Sequence, residues 1–331
     1  MVPGPFCRVR DNSRFPINTE RLENWWGRAG GSALVASVSL SKTICLGYGD
    51  TRYGLQMNVP HFPDGVEAYP HGHQPSVLAS HAARTADNSC AYFLDRLEPG
   101  QRILDLGCGP GSITLDLAER VGPNGYVLGV DFSADAIRAA RAAAGSRGVA
   151  GVEFTVGDLF DLDVEPGSFD IVHAHQVLQH LADPVEALRA MARYCKQGGL
   201  VAVRDADYGA MAWYPQLPGV SEWFTTYCRS ARATGGEPDA GRRLRAWANA
   251  AGLEITYAGA SPWIYATPEA TAWWGNTQAD RVLHSTFAER ARAQGLTDDD
   301  LQIMSRDWRM WGQDPDAWFF LPHGELIVVN S

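Results

Sequence analysis

A glycine-rich segment in the middle of the chain has the spacing of a ligand-binding loop. The run DLGCGPGS, residues 105–112, follows a short apolar segment that is typical of a buried strand, and it opens a segment with helical periodicity. Glycines permit a tight turn and let a ligand approach the backbone, and the start of a helix offers free N–H groups. Asp131 ends the next apolar segment, 24 residues after Gly107, and a carboxylate there can accept hydrogen bonds from both hydroxyls of a ribose. The two features predict a site for a ligand that contains adenosine.

The composition of the loop indicates which kind of adenosine ligand fits. Loops that bind dinucleotides read G-x-G-x-x-G and leave room for a pyrophosphate. Here the pattern is G-x-G-x-G, and Asp105 lies two positions before its first glycine. A carboxylate repels a pyrophosphate but attracts an amino group or a sulfonium. The loop therefore favours a cationic adenosine ligand, and an NAD-dependent oxidoreductase remains the less favoured alternative.

The segments around the loop alternate between strand and helix. Five apolar segments predict strands, at 102–106, 126–131, 152–156, 169–174 and 200–204. Between them, Ser112 and Ser133 are expected to cap helices, and a further helix is expected from Pro184 to about Cys195. Strands that alternate with helices form a parallel sheet covered on both faces, which is an α/β fold. Two later strand-like segments, 253–259 and 325–330, enclose residues that look helical.

The motifs at these positions resemble those of one enzyme family. ILDLGCGPGSITLDLA (103–118) resembles motif I of the class I S-adenosylmethionine-dependent methyltransferases, and VLGVDFS (127–133) is similar to their ribose motif. The segment 156–203 resembles the later motifs. The likeness is greatest to the ubiquinone/menaquinone-biosynthesis-like methyltransferases of the type-11 superfamily, and segments 69–94 and 203–215 are similar to an uncharacterised actinobacterial and fungal branch. The resemblance implies S-adenosylmethionine as co-substrate. It also implies a doubly wound, Rossmann-like, seven-stranded, mostly parallel sheet with an N-terminal helical cap and a helical insert before the last strand.

The resemblance also implies roles for residues on the methionine side of the co-substrate. Asp105, Gly107 and Gly109 would line the methionine half. His175 and Gln176 would contact it from the end of the fourth strand, where open parallel sheets bind their ligands. Relatives often have a small or hydroxylated residue at this end of the strand, and histidines stand there in this sequence.

A second group of residues is implied on the adenosine side. Asp131 would hold the ribose, and Phe132 would pack on the adenine. Asp158, which follows Gly157, would accept a hydrogen bond from the adenine amino group, with Leu159 packed nearby.

Methyl transfer is an in-line displacement that depends mostly on alignment and on the exclusion of water. A general base is needed only when the acceptor atom carries a proton. His175, His180, Asp205, Asp207 and Tyr208 are the candidates for a base near the expected cleft, and of these His175, His180 and Tyr208 are the candidate catalytic residues. Each also has a structural interpretation, because a histidine can be a satisfied core residue, an aspartate can cap a loop and a tyrosine can pack.

Composition separates the first of four expected segments, and the motifs and the resemblance imply the other three. Residues 1–56 hold seven Lys/Arg against four Asp/Glu, and we expect a poorly ordered leader there. Residues 57–98 are expected to form the N-terminal cap, in which His81 and Arg84 are polar candidates for the site. Residues 99–210 are expected to form the cofactor-binding core, and 211–331 the acceptor side.

The acceptor side carries an aromatic signal. Nine of the eleven tryptophans follow residue 200. They either pack a helical subdomain or line an apolar substrate chamber. We expect Trp273, Trp274, Trp308 and Trp311 to belong to an insert that covers the acceptor. Arg242, Arg243 and Arg245 could meet an acidic acceptor, although a solvated helix face is the commoner use of such a run.

Composition and residue spacing disfavour several classes of binding partner. The net charge of −10 disfavours a nucleic-acid partner, which needs a basic face. No apolar run is long enough to predict a membrane span, and the six cysteines without C-x-x-C spacing predict reduced thiols in the cytoplasm. His71 and His73 lack a third ligand in register, so we expect no metal. The prediction is a methyltransferase for a small, apolar or aromatic metabolite, with a non-catalytic, sensory S-adenosylmethionine-binding protein as the alternative. The sequence assigns no oligomeric state.

Overall fold

In the described part of the chain, eight strands form one mixed sheet, in the order β3-β2-β1-β4-β5-β8-β6 with β7 paired to β8. The computed structural model describes residues 84–331. The expected leader at 1–56 and most of the expected cap, 57–83, lie outside these residues, as do His71, His73 and His81. The strands are β1 (Arg102–Leu106), β2 (Tyr126–Asp131), β3 (Val152–Val156), β4 (Phe169–His175), β5 (Cys195–Ala206), β6 (Ala212–Tyr214), β7 (Glu254–Tyr265) and β8 (Trp318–Val329).

Nine α-helices accompany the strands in the described part of the chain. They are α1 (Ala86–Ser89), α2 (Ser112–Val121), α3 (Ala134–Arg147), α4 (Pro184–Tyr194), α5 (Pro218–Ala233), α6 (Leu244–Ala251), α7 (Pro268–His284), α8 (Thr286–Ala293) and α9 (Asp298–Gln313). Short 3-10 turns lie at Leu94–Arg96, Leu178–His180, Tyr208–Ala210 and Gly241–Arg243.

Strands β1 to β5 are parallel to one another, and β8 runs antiparallel to β5. This arrangement confirms the predicted doubly wound α/β fold. The predicted count of seven strands is wrong by one. After β5 the chain passes through a 3-10 turn, and Ala212–Tyr214 then pairs antiparallel with the beginning of β8. A segment of three residues is too short to show a period-2 pattern, so the sequence did not reveal it.

The ends of several elements differ from the sequence prediction. Ser133 caps α3 as expected, because its side chain accepts a hydrogen bond from the N–H of Ala136. Ser112 is the first residue of α2 rather than its cap, and Gly111 occupies the capping position without a side-chain bond. Strand β8 begins at Trp318, seven residues before the expected start at Glu325.

The insert between β7 and β8 is helical, as predicted, and consists of α7, α8 and α9. Trp308 and Trp311 are fully buried in its core, where they pack around Phe319 at the start of β8. These two tryptophans therefore follow the packing interpretation. Trp273 is partly exposed and, with Trp274, faces a cavity described below.

Apolar side chains cover both faces of the central sheet. One face carries Leu104, Val172 and Val203 in a large apolar cluster with α4 and α6. The other face carries Ile103, Ile171 and Ala202 and packs against α2 and the segment that follows α1. Residues two positions further along the strands of this second face are polar, and they form the floor of the candidate site.

Candidate functional site

The glycine loop and the end of β2 are tied together by the carboxylate of Asp131. Its Oδ2 accepts a hydrogen bond from the N–H of Gly109 at 2.9 Å, and its Oδ1 accepts one from the N–H of Ser133 at 2.8 Å. Asp131 is half-buried. The carboxylate thereby fixes the start of α3 against the loop that opens α2, at the carboxyl edge of the sheet.

Gly107 turns the chain sharply at the end of β1. Its φ is +68°, and a Cβ atom at this position would collide with Cγ2 of Val177. Val177 belongs to the turn that follows β4, so the glycine allows the loops after β1 and β4 to touch. A larger residue would push these two loops apart, and this explains why glycine is needed here.

The adenosine-side residues meet at the carboxyl ends of β2 and β3. Phe132 is 54% exposed, which is unusual for a phenylalanine and leaves one side chain ready to stack on a planar ring. The N–H of Gly157 donates to the carbonyl of Asp131 at 3.1 Å. Asp158 is exposed and accepts a hydrogen bond from the N–H of Phe160, and Leu159 is half-buried. The structure thus brings these five predicted residues to one edge.

Asp105 is buried in a chain of polar side chains rather than exposed to the cleft. Its Oδ2 accepts from the hydroxyl of Thr114 at 2.5 Å, and its Oδ1 lies 2.7 Å from Nδ1 of His173. Nε2 of His173 lies 3.4 Å from the sulfur of Cys90. Burial lowers the pKa of His173, but the Cys90 sulfur and the hydrogen bond to Asp105 outweigh burial and raise this pKa to about 10. Asp105 therefore acts together with a charged histidine beneath the loop.

Gln176 joins three parts of the chain at the end of β4. Its backbone has a φ of +55°, which is uncommon for a residue other than glycine and is typical of functional sites. Its side-chain Oε1 accepts a hydrogen bond from Arg84 at 2.7 Å, and its Nε2 donates to Nε2 of His323 at 2.6 Å. The amide thereby connects the segment before α1 to β8.

His175 is buried next to this junction, and neither of its ring nitrogens has a hydrogen-bond partner among the described residues. Its ring lies beside the contacting rings of Trp263 and His323, with centroids 5.6 Å and 6.0 Å away. Burial, Arg204 and Arg84 hold its pKa well below the usual value for histidine. His175 is therefore neutral at physiological pH and is a weak base.

The other candidates, His180, Asp205 and Tyr208, lie in the turn after β4, in β5 and in the turn after β5. Burial lowers the pKa of His180 to about 3. Asp205 is buried, its Oδ1 accepts from the N–H of Gln179 at 3.1 Å, and burial raises its pKa to about 7. This bond holds the 3-10 turn after β4 against β5. Tyr208 packs on Tyr227 at a ring distance of 4.4 Å and lines the cavity described next.

A row of polar residues crosses four strands on the same face and was not predicted. The fully buried Arg204 on β5 lies opposite His175 on β4 and opposite Glu325 on β8. Nε of Arg204 lies 3.3 Å from Oε1 of Glu325, and Ser261 on β7 contacts both residues. The signal in the sequence was a single arginine in an otherwise apolar strand, LVAVR. The residues that accept its hydrogen bonds, Ser261 and Glu325, are more than fifty residues away, so the sequence alone could not identify them.

A cavity of about 440 Å³ opens above this row. We call it the aromatic cavity, and its wall combines tryptophan and tyrosine side chains with two arginines. The described residues that line it are Arg84, Asp87, Asn88, Ser89, Ala91, Gln176, Tyr208, Ser261, Pro262, Trp263, Ile264, Tyr265, Trp273, Trp274, Arg281, Leu321 and Glu325. Gln176 belongs to this wall and to the end of β4, so the cavity adjoins the edge that carries the glycine loop.

The residues of the edge fit the co-substrate that the resemblance implies. The loop after β1 leaves no room for a side chain at Gly107, the carboxylate of Asp131 is held in place by two backbone donors, and Phe132 presents an exposed ring. These are the features that an adenosine needs at such an edge. Arg242 and Arg243, in contrast, pair with Asp207 and Glu237 outside the wall of the aromatic cavity. Within residues 84–331, no helix is long and apolar enough to cross a membrane.

Comparisons with known proteins show which proteins this chain is similar to. A family model described as a methyltransferase domain matches residues 97–259. The uncharacterised methyltransferase C1B3.06c of Schizosaccharomyces pombe is 32% identical over 285 residues, which cover 82% of this chain and 97% of that protein. A demethylmenaquinone methyltransferase of Lactococcus lactis is 37% identical over 117 residues, which cover 35% of this chain and 46% of that protein. Among solved structures, the YcgJ protein from Bacillus subtilis has a TM-score of 0.46 and 21% identity, and the match covers 72% of this chain and 96% of that chain.

Proposed function

Because the chain belongs to the class I S-adenosylmethionine-dependent methyltransferases, we propose that it methylates a small apolar or aromatic metabolite bound in the aromatic cavity. The match to a methyltransferase domain and the similarity to the Schizosaccharomyces pombe protein confirm the predicted family and co-substrate. The choice of acceptor is our proposal. The observation that supports it is the position of Gln176, which belongs both to the end of β4 and to the wall of the cavity.

We propose that the co-substrate lies along the carboxyl edge of β1, β2, β3 and β4. Gly107 and Gly109 would face its methionine half together with Gln176, and Asp131 would accept from the ribose hydroxyls. Phe132, Gly157, Asp158 and Leu159 would surround the adenine. In this arrangement Asp105 and His175 act from beneath the edge, because both side chains are buried.

The bound co-substrate supplies a methyl group on a positively charged sulfur, and the residues of this chain supply alignment and a dry environment. Trp263, Trp273 and Trp274 form apolar walls that exclude water from the acceptor. The rigid link from Arg84 through Gln176 to His323 fixes the wall nearest the glycine loop. Holding two reactants in line at contact distance supplies much of the rate enhancement in such a displacement.

The described wall of the cavity offers no side chain that is suited to act as a general base near neutral pH. Burial raises the pKa of Tyr208, and burial likewise raises that of Tyr265. The carboxylates of Asp87 and Glu325 are paired with arginines. We propose that the acceptor atom needs no deprotonation by these residues, and that Tyr208 positions the acceptor.

These contacts suggest which segments of the chain bind the co-substrate and which bind the acceptor. We propose that residues 99–210 hold the co-substrate and that residues 211–331 select the acceptor. The described end of the 57–98 segment supports a covering role, since Arg84, Asn88 and Ala91 line the cavity. The four cysteines of the described chain are free, and this supports the proposal that the enzyme works in the cytoplasm.

The experiment that tests the function begins with binding and then asks for transfer. Calorimetric titration with S-adenosylhomocysteine should show binding to the full chain, and Asp131→Ala should weaken it roughly 10- to 100-fold because two backbone donors lose their anchor. Asp135→Ala is the matched control, since Asp135 is an exposed aspartate in the next helix. Incubation with methyl-labelled S-adenosylmethionine and a small-molecule extract should then move label into low-mass products. Binding without transfer would identify a sensory protein and overturn the proposal.

A further inference from the structure

A single carboxylate connects the two ends of the glycine loop. Asp105 lies two residues before Gly107, and its Oδ2 accepts a hydrogen bond at 2.5 Å from the hydroxyl of Thr114. Thr114 lies in the first turn of α2, directly after the loop. Asp105 is 2% exposed and Thr114 is fully buried. The orientation of this carboxylate therefore determines how the end of β1 and the start of α2 approach each other, and the loop between them follows.

The second oxygen of the carboxylate is bound by the neighbouring strand. His173 on β4 is the register partner of Asp105 on β1, and its Nδ1 lies 2.7 Å from Oδ1. A carboxylate oxygen only accepts hydrogen bonds, so Nδ1 carries the proton of this contact. Two donors on different elements thus fix the plane of the carboxylate, whereas one donor would leave it free to rotate.

The imidazole of His173 is itself held in place. The side chain is fully buried, and its Nε2 lies 3.4 Å from the sulfur of Cys90. The ring of Phe93 packs against the imidazole at a centroid distance of 5.2 Å. A ring with a contact at each nitrogen cannot turn without losing one of them, so Nδ1 stays directed at Asp105.

A second histidine on the same face of β4 provides a contrast. His175 is buried as well, but neither of its ring nitrogens has a hydrogen-bond partner among the described residues. An apolar side chain would fill the space at position 173, so burial alone does not explain a histidine there, and the contact with Asp105 does. The family resemblance implied roles for Asp105 and His175 but none for His173.

We infer that His173 is a positioning residue for the co-substrate: its imidazole orients the carboxylate of Asp105, and this carboxylate fixes the glycine loop that faces the methionine half. The inference rests on the proposed function and adds to its site a residue that does not touch the ligand. A buried carboxylate that loses one of its two donors is left partly unsatisfied. Removal of the donor should therefore loosen the loop and weaken binding of the co-substrate.

Two amide substitutions separate orientation from the filling of space. In His173→Asn the side-chain N–H lies near the place of Nδ1, so it can still donate to Asp105. In His173→Gln the amide extends to the place of Nε2, so the donor to Asp105 is lost. Glutamine is closer to histidine in volume than asparagine is. A residue that only fills space should therefore tolerate glutamine better, and a residue that orients Asp105 should tolerate asparagine better.

Calorimetric titration of the full chain with S-adenosylhomocysteine measures the difference. His173→Gln should bind roughly 10-fold more weakly than wild type, as expected for the loss of a hydrogen bond to a charged group, and His173→Asn should keep most of the affinity. Cys90→Ala is the matched control, because it removes the contact at the other ring nitrogen and should keep the wild-type affinity. An unchanged affinity in His173→Gln, an equal or larger loss in His173→Asn, or the same loss in Cys90→Ala would overturn the inference.

A double substitution tests whether His173 acts through Asp105. In an Asp105→Asn background the carboxylate is gone, so His173→Asn and His173→Gln should bind S-adenosylhomocysteine equally. A difference between the two that persists in this background would contradict action through Asp105.

Hydrogen–deuterium exchange of the ligand-free chain reports on the loop without any ligand. The backbone amides of residues 106–112 should exchange faster in His173→Gln than in wild type, and at nearly the wild-type rate in His173→Asn. Thr114→Val removes the other donor of the same carboxylate and should also speed exchange in the loop, which provides a second variant if His173→Gln does not fold. Wild-type exchange in Thr114→Val would contradict the role of the carboxylate.

The wild-type chain separates this inference from the proposed function. If wild type binds S-adenosylhomocysteine but the two amide variants do not differ in affinity or in exchange, the role of His173 fails and the proposed methyl transfer stands. If wild type binds no S-adenosylhomocysteine, the proposed function itself fails, and the exchange rates alone decide whether His173 fixes the loop.

Discussion

Gly107 and Gly148 have nearly the same left-handed backbone, with φ of +68° and +65°, but different surroundings. A Cβ atom at Gly107 would meet Val177, whereas nothing lies within 4 Å of one at Gly148. We predict that Gly148→Ala costs roughly 1–2 kcal/mol for the backbone alone. Gly107→Ala should cost about 1–3 kcal/mol more, because the loops after β1 and β4 must separate. Urea unfolding of both variants measures the difference.

The affinity for S-adenosylhomocysteine distinguishes the two glycines further. It should fall in Gly107→Ala and stay unchanged in Gly148→Ala. Adding Val177→Ala to Gly107→Ala should recover part of the lost stability. If Gly107→Ala and Gly148→Ala lower the free energy of unfolding equally, the contact with Val177 does not contribute to the cost of the substitution.

The buried pair of His173 and Asp105 predicts a pH dependence of stability. The pKa of His173 is raised to about 10 in the folded chain, from about 6.5 when unfolded. A raised pKa stabilises the folded state fully below pH ~6.5, and this contribution is lost as the pH rises through ~10. We predict that the free energy of unfolding declines in this window, by at most on the order of 1 kcal/mol per pH unit from this group.

Chemical unfolding at pH 6.5, 8 and 9.5 measures this decline. His173→Gln removes the titrating group, so the difference in stability between wild type and variant should shrink as the pH rises. His284→Gln is a control on an exposed histidine. A difference that stays constant across the window would contradict a raised pKa.

At the scale of single residues, the sequence predicted the local motifs, but it did not predict which side chains contact each other across the sheet. The positions of Gly107 and Asp131 followed from strand, turn and helix signals that lie within thirty residues of one another, and Phe132 followed from the family resemblance. The pairing of Asp105 with His173, or of Arg204 with Glu325, depends on the order of strands in the sheet. No local signal contains that order, so these contacts could not be predicted.

Helices α7 and α9 approach each other through two glycines. A Cβ atom at Gly275 would lie 2.6 Å from the carbonyl oxygen of Trp308 and 2.8 Å from Cα of Gly312. We predict that Gly275→Ala destabilises the chain by about 1–3 kcal/mol, because the helix backbones must move apart. Thermal and urea unfolding measure this cost.

Substitution of a helical glycine that has open space around it should stabilise the chain instead of destabilising it. Gly145 in α3 is exposed, and a Cβ atom there would have nothing within 4 Å of it. Gly145→Ala should therefore stabilise the chain by roughly 0.5–1 kcal/mol. If both substitutions are neutral, close packing of α7 and α9 does not contribute to stability.

Among the elements, the sequence predicted the parallel strands and the helical insert but misjudged lengths. Strands β1 to β4 are short apolar runs, which single-sequence patterns detect well. Strands β7 and β8 have twelve residues each and include charged and proline residues where the site needs them. The apolar pattern breaks at those residues, so β8 was expected to begin only at Glu325.

Strand β8 connects three apolar clusters of the described chain. Phe319 and Leu321 belong to the core of the insert, whereas Leu326 and Val328 belong to one face of the central sheet and Ile327 to the other. We predict that Phe319→Ala costs about 3–5 kcal/mol, because a buried aromatic side chain is lost. The cost should appear equally in far-UV circular dichroism and in tryptophan fluorescence, with one cooperative transition.

Ligand binding checks the same cooperativity. Saturation with S-adenosylhomocysteine should increase the free energy of unfolding by the same amount in both measurements, by about 2.7 kcal/mol at a hundredfold excess of ligand over the dissociation constant. An insert that unfolds before the sheet, seen as an earlier fluorescence transition, would contradict a shared core.

The insert leaves and rejoins the sheet at a single place. Tyr265 at the end of β7 is the register partner of Phe319 near the start of β8. The intervening helices therefore connect two paired antiparallel strands, and their two ends lie next to each other. Loops with adjacent ends can be exchanged with little strain on the scaffold. A graft that carries a different insert together with its Phe319 contacts would therefore give the same co-substrate scaffold a new acceptor chamber. This architecture makes the enzyme a natural starting point for building chimeras with altered substrate range.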